Sequence, residues 1–248
     1  MTGTLIVTGG SRGIGAAICA LAATRGYDVV VNYSGDPAPA EAVASQVRAS
    51  GRQALAFRAD VSSEDDVRAL FDAAAALGPV TGLVNNAAIV GNTPGRLEDY
   101  AVDVVRRTLD VNVTGVFLCC REAVRRMSTR HGGDGGAIVN ISSTAARTGS
   151  AGEWVHYAAS KAAVDTLTFG LAQEVAADGI RVNAVRPGMV DTGLHAAAGL
   201  PDRMAKYAPQ IPLGRPGRPP EIAEAVLFLL SAASSFTTGA VLDVGGGR

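Results

Sequence analysis

Seven short runs of apolar and β-branched residues punctuate this chain, and longer stretches of helical periodicity separate them. Leu5–Thr8, Asp28–Tyr33, Ala54–Ala59, Gly82–Asn85, Ala137–Ser142, Arg181–Arg186 and Ala240–Val244 read as strands. Mostly unbroken apolar runs of this kind suit a parallel sheet buried on both faces. The stretches between them read as helices. Val67, Leu70, Phe71, Ala74 and Leu77 recur at helical spacing behind the acidic turn SSEDD. Val113, Val116, Phe117, Cys120, Val124 and Met127 form a second stripe, and Val164, Leu167, Leu171 and Val175 a third. All three are expected in the core. The alternation predicts an α/β fold, and 248 residues suit one large domain better than two small ones.

The first strand runs into TGGSRGIG, which places Gly9, Gly13 and Gly15 just before a helix expected from about Gly13. A helix N-terminus reached through glycines leaves backbone N–H groups and the positive end of the dipole where a pyrophosphate sits. The spacing is Gly-x-x-x-Gly-x-Gly, and alone it is equally a tight strand–helix turn. Other motifs add weight: NNAA (85–88) follows the fourth strand, ISS (141–143) the fifth, RPGMVDT (186–192) the sixth, and YAASK (157–161) opens a helix. Carboxyl ends of strands are where an open parallel sheet binds ligands.

With these motifs in this order, and TGAVLDVGGG near its end, the chain resembles the short-chain dehydrogenase/reductase family over essentially its full length. The resemblance implies a single doubly wound Rossmann-type domain spanning 1–248, a seven-stranded parallel sheet with helices on both faces, and a homotetramer. It implies that Gly9, Ser11, Gly13, Ile14 and Gly15 form the pyrophosphate turn, that Asp60 and Val61 meet the adenine, and that Asn86 and Ala87 wall the ribose. Pro187, Gly188, Val190 and Thr192 fall to the nicotinamide carboxamide. Two places depart from the family pattern: Ala88 stands where a glycine is usual, and the segment from Ser143 to Tyr157, with Glu153, Trp154 and His156, is one residue longer than in many relatives.

Tyr157 and Lys161 lie four apart and share a helix face. Lowering a phenol from a pKa of about 10 to about 7 takes roughly 4 kcal/mol. An ammonium about 5 Å away at an effective dielectric near 20 offers roughly 3 kcal/mol. By resemblance, Ser143 bonds the substrate oxygen, Tyr157 exchanges a proton with it, Lys161 lowers the tyrosine pKa and binds the ribose, and Asn112 holds a water on the proton path. Ser142 is the neighbouring candidate, and the motif favours Ser143.

Arg12 points to NADP(H). NAD-selective sites carry an acid at the end of the second strand, whereas this chain reads VVVNYSGD there. Asn32, Tyr33 and Ser34 repel no phosphate, and an arginine in the turn offers a 2′-phosphate two charge-assisted bonds. Asn32 and Ser34 are expected to add neutral ones, and Asp36 to point to water.

A net charge of −1 offers no basic field for nucleic acid. The N-terminus shows neither a signal peptide nor a spanning segment, and Cys19, Cys119 and Cys120 read as buried free thiols, so a cytoplasmic chain is expected, with no membrane partner. No cluster has metal-ligand spacing and no Gly-x-Ser-x-Gly elbow is present. His131 reads as a loop residue, His156 as a pocket neighbour and His195 as part of a substrate lid over about 191–220. The expected activity is NADP(H)-dependent interconversion of a secondary alcohol and its carbonyl compound. The rivals are a catalytically silent NADP-sensing protein on the same fold and an epimerase or dehydratase of the extended branch. Arg130 and Asp178 stand where carrier-docking relatives place basic residues, so Asp178 is expected to repel an acidic acyl carrier.

Overall fold

The computed structural model describes residues 3–91, 94–193, 198–200 and 202–248. Its strands are β1 (Thr4–Val7), β2 (Asp28–Tyr33), β3 (Ala54–Arg58), β4 (Val80–Asn85), β5 (Gly136–Ile141), β6 (Ile180–Pro187) and β7 (Val241–Val244). They form one parallel sheet in the order β3-β2-β1-β4-β5-β6-β7. All seven expected strands are present, with ends moved by no more than two residues. The helices are α1 (Gly13–Thr24), α2 (Pro37–Ala49), α3 (Glu64–Ala75), α4 (Val102–Leu109), α5 (Gly115–Met127), α6 (Ala145–Thr148), α7 (Val155–Val175), α8 (Arg203–Tyr207) and α9 (Pro219–Leu230).

Side chains alternate across the sheet and divide the core in two. Leu5, Val7, Val29 and Val31 face α1, α2 and α9, while Ile6, Val30 and Leu83 face α3, α5 and α7. Connections run outward in both directions from β1 and β4, so a crevice opens between their carboxyl ends. That crevice positions the site.

The second predicted stripe begins in a π-helical turn over Asp110–Thr114 and runs along α5, two pieces of a rod that starts with α4. Phe117, expected in the core, is instead exposed on the outer side of that rod. Phe169, Phe228 and Phe236 are exposed as well. Asp178 also differs from expectation: it is buried, accepts a bond from the Ser128 hydroxyl (2.9 Å) and lies 3.9 Å from Arg130. It sits inside the protein next to the start of β6 rather than on the surface. The three cysteines are buried and free, and burial raises their thiols far above the usual range, Cys120 to about 12. Among the described residues no helix is long and apolar enough to cross a membrane.

Candidate active site

The glycine turn is held from two sides. Gly9 and Gly13 adopt φ of +60° and +53°, which only glycine takes without strain. A Cβ on Gly15 would run into the Gly9 carbonyl oxygen, so the turn and α1 touch backbone to backbone. From the β4 side, Asn86 donates to the carbonyls of Thr8 (2.9 Å) and Gly9 (3.0 Å). The Thr8 hydroxyl accepts from the N–H groups of Asn86 and Ala87, both at 3.0 Å. Thr8 was not singled out from sequence, although a hydroxyl ending an apolar strand is the available signal.

Asn32 departs from expectation. Its side chain is buried, accepts from the Gly9 N–H (3.1 Å) and donates to the carbonyls of Tyr33, Phe57 and Ala59. It shapes the turn and has no donor left for a phosphate. Ser34 and Arg12 are exposed, and Tyr33 and Ser11 half-buried. The Arg58 guanidinium, not foreseen, bonds the Ser34 carbonyl at 3.3 Å and brings a second cation to this rim. Asp36 caps α2 through the Ala38 N–H, and its other oxygen lies 3.9 Å from Arg12, so it faces the arginine rather than water alone. With those two side chains 71% and 57% exposed, the pair is weak. Asp60 accepts from Ser62 and pairs with Arg107 at 2.7 Å. Burial would raise its carboxyl, but these bonds outweigh it and hold it low. Val61 is buried against Gly115.

A cavity of about 510 Å³ opens beside the turn. Its wall includes Gly9, Arg12, Gly13, Ile14, Asn86 and Ala87 on one side and Ser143, Tyr157 and Lys161 on the other. Pro187, Gly188, Val190 and Thr192 close it, with Val190 bridged to Gly217 and Thr192 lying where a Cβ on Gly13 would touch it. Gly15, Ser11, Asn32, Tyr33, Ser34, Asp60, Val61 and Asn112 lie outside the cavity wall.

The Ser143 oxygen accepts from the Ala145 N–H at 3.1 Å, which turns its proton away from the backbone. The Ser143 and Tyr157 side chains both line the cavity. Ser142 is buried, and its hydroxyl donates to the Lys161 carbonyl at 3.2 Å, a structural duty that separates it from Ser143. The Lys161 ammonium is buried, donates to the Ile141 carbonyl at 2.7 Å and sits 5.7 Å from the Tyr157 ring centre. Burial lowers its pKa to about 8, against the opposing pull of Asp165. Burial also raises the Tyr157 phenol, and the neighbouring Ser143 hydroxyl and the Arg203 charge only temper that rise.

Asn112 is committed elsewhere. Its amide accepts from the Ile89 N–H (2.9 Å) and donates to the Ile89 carbonyl (2.8 Å) and the Ser160 hydroxyl (3.0 Å). Ser160 in turn donates to the Tyr157 carbonyl at 2.7 Å. The side chain thus braces the loop after β4 against α7.

The longer wall segment carries a clasp. Both Glu153 oxygens are bound, one by Arg203 (2.6 Å) and one by the Tyr207 hydroxyl (2.8 Å). The Glu153 carbonyl accepts from the Tyr100 hydroxyl and the Gly95 N–H. Burial would raise the Glu153 carboxyl, but its partners hold it low. His156 is buried and absent from the cavity wall, its Nε2 donating to the Val90 carbonyl at 2.9 Å. Burial lowers its pKa, keeping the ring neutral. His195 lies outside the described residues. Arg203, Tyr207 and Arg248, which sequence reasoning missed, come from the irregular 191–220 stretch and the chain's last residue, where no periodic pattern marks them.

The residues fit a nicotinamide nucleotide: Gly9 and Gly13 at positive φ shape the turn, backbone N–H groups begin α1 there, and among the described residues no Asp or Glu side chain lines the cavity. A family model described as enoyl-(acyl carrier protein) reductase matches residues 9–248. The chain is 49% identical over 244 residues to the uncharacterized oxidoreductase YgfF of Escherichia coli (strain K12), covering 98% of each. It is 46% identical over 245 residues to cis-4-hydroxycyclohexanecarboxylate dehydrogenase of Sinomonas cyclohexanicum, covering 98% of this chain and 94% of that one. Its fold matches a short-chain type dehydrogenase/reductase from Mycobacterium marinum with a TM-score of 0.90 and 36% identity, over 98% of this chain and 94% of the other. Agreement over nearly the whole length, in sequence and fold together, makes this chain an oxidoreductase of the short-chain dehydrogenase/reductase family, whose members use nicotinamide nucleotides.

Proposed function

We propose that the protein interconverts a secondary alcohol and its ketone with NADP(H), using Tyr157 as the proton-transfer group. The observation that carries this reading is the convergence of the Ser143 and Tyr157 hydroxyls on the wall of the cavity that begins at the glycine turn. The nucleotide, when bound, supplies or accepts the hydride. In the reducing direction Ser143 and Tyr157 donate to the substrate oxygen, and Tyr157 yields its proton to it as the alcohol forms. Lys161, with one N–H on Ile141 and two others available, is placed to favour the resulting tyrosinate and to bind the ribose. Asn112 holds the frame around Tyr157. The relative named for cis-4-hydroxycyclohexanecarboxylate supports a ring-borne secondary alcohol as substrate.

The remaining expectations go with this reading. Buried reduced cysteines support a cytoplasmic setting, exposed phenylalanines support a homotetramer, and the 191–220 stretch serves as the substrate lid. A panel of ring and chain ketones and alcohols, assayed with NADPH and NADP⁺, tests the function. Turnover of at least one pair is expected. Tight nucleotide binding with no turnover across the panel would instead support the silent sensor.

Preference for NADP(H) rests on Arg12, with Arg58 beside it, and on the absence of an acid from the end of β2. Asp36 is the competing partner, but an exposed pair at 3.9 Å is weaker than a bidentate phosphate contact. Arg12→Ala should cost roughly 1.5–3 kcal/mol, about ten- to a hundredfold in KM for NADPH, and leave NADH hardly changed. Steady-state kinetics with both nucleotides checks it. An unchanged NADPH/NADH ratio would leave Arg12 without this role.

A further inference from the structure

The cavity wall holds four cations, Arg12, Lys161, Arg203 and Arg248, and among the described residues no Asp or Glu lines it. Two are accounted for by the nucleotide: Arg12 stands at the glycine turn and Lys161 beneath Tyr157. The other two gather on one ring. The guanidinium of Arg203 lies 5.2 Å, and that of Arg248 4.7 Å, from the centre of Tyr207, with the Lys206 ammonium at 5.1 Å. Within this group the one carboxylate side chain is Glu153, whose oxygens are taken by Arg203 and Tyr207, and the main-chain oxygen of Arg248 accepts from Arg147 at 3.4 Å. Arg203 is further fixed by stacking 4.8 Å from Trp154. Asp243, two positions before the glycines that lead to Arg248, is occupied by Arg147 (3.0 Å) and Arg186 (3.6 Å). Arg248 therefore presents its charge to the cavity with an aromatic face behind it and, among the described residues, no Asp or Glu side chain within ion-pair distance.

We propose that the substrate of this site carries a carboxylate besides its alcohol or ketone, and that Arg248, steadied by Tyr207, binds it. The assignment rests on the oxidoreductase reading above for the alcohol or ketone, but not for the anion site itself. A positive wall without a lining acid stabilises an anion, and a partly enclosed guanidinium bonds a carboxylate in a bidentate, charge-assisted way. Burying a neutral substrate against the same wall would leave those donors poorly matched. A ring acid of modest size also suits a cavity of about 510 Å³ that must hold part of the nucleotide as well.

The test is equilibrium binding, so it does not depend on turnover. Cyclohexanecarboxylate and cyclohexanecarboxamide, equal in shape and different in charge, are titrated by calorimetry into the protein with saturating NADP⁺. The carboxylate is expected to bind at least about tenfold more tightly. Arg248→Gln should reduce that preference to less than about threefold while leaving carboxamide affinity in place, and Arg248→Lys should keep part of it. Equal binding of the two probes by the wild type, no binding of the carboxylate, or a preference that survives in Arg248→Gln would overturn the proposal. Carboxylate preference in a protein that reduces no ketone would instead bring down the oxidoreductase reading and leave the anion site standing.

Discussion

Tyr157→Phe is expected to lower kcat by about three orders of magnitude while changing nucleotide affinity by less than about twofold. Phenylalanine keeps the ring that packs beside the buried wall of Val90, Trp154 and Ala198, so the cavity keeps its shape. What disappears is one hydroxyl on the cavity wall, the proposed proton donor. Ser143 keeps its bond from the Ala145 N–H and still addresses the substrate oxygen, so substrate binding should weaken far less than turnover. Burial raises the phenol in the nucleotide-free protein, which keeps it protonated at neutral pH and ready to donate in the reducing direction. Oxidation needs the anion, so its rate should climb more steeply with pH than reduction does. Single-turnover kinetics with fluorescence titration of the nucleotide separates the two effects. Activity within tenfold of wild type would remove Tyr157 from the mechanism.

The parts of this molecule that were legible in the sequence are those fixed by local spacing. Unbroken apolar runs and the positions of Gly9, Gly13 and Gly15 marked strands and turn, because two-faced burial and positive φ each restrict residue choice at fixed places. Tyr157 and Lys161 share a face by helical geometry alone. The misread residues are polar ones whose direction depends on distant chain. Asn32 was a candidate phosphate donor, yet its amide is consumed by Gly9 on one side and by Phe57 and Ala59 of β3 on the other. Asn112 turned to Ile89 and Ser160, and Asp178 to Ser128, each across a gap in sequence that periodicity does not span. The clasp of Glu153, Arg203 and Tyr207 was invisible for the same reason, since its partners lie 50 and 54 positions apart. Phe117 failed differently: the buried face of α5 runs through Val116, Cys119, Cys120, Ala123 and Met127, and Phe117 lies beside that face rather than on it.

Lys161→Met should abolish most turnover and, at the same time, change how stability depends on pH. In the folded protein burial lowers the Lys161 pKa to about 8, whereas an unfolded lysine titrates near about 10.4. Below pH 8 both states hold the proton, and the native state bears the cost of a buried ammonium. Between those two values the unfolded chain binds more protons than the native one, so stability rises with pH through that window. The contribution of this one group amounts to about 2 kcal/mol between pH 8 and pH 10, or about 4–8 °C in Tm for a chain of this size. Methionine carries no charge to desolvate, and the variant should lose that rise. It also leaves the Ile141 carbonyl without its donor, a cost of about 1–3 kcal/mol that is independent of pH and shifts the whole curve without tilting it. The difference in stability between the two proteins, followed by denaturant unfolding from pH 7 to pH 10, isolates the slope from that offset and from the tyrosines common to both. Catalysis should fall by about a hundredfold or more, with KM for the nucleotide rising as the ribose loses its ammonium. Parallel stability curves would mean that Lys161 is better solvated than its place beneath Ile141 indicates, and a near-neutral lysine would no longer be available to serve Tyr157.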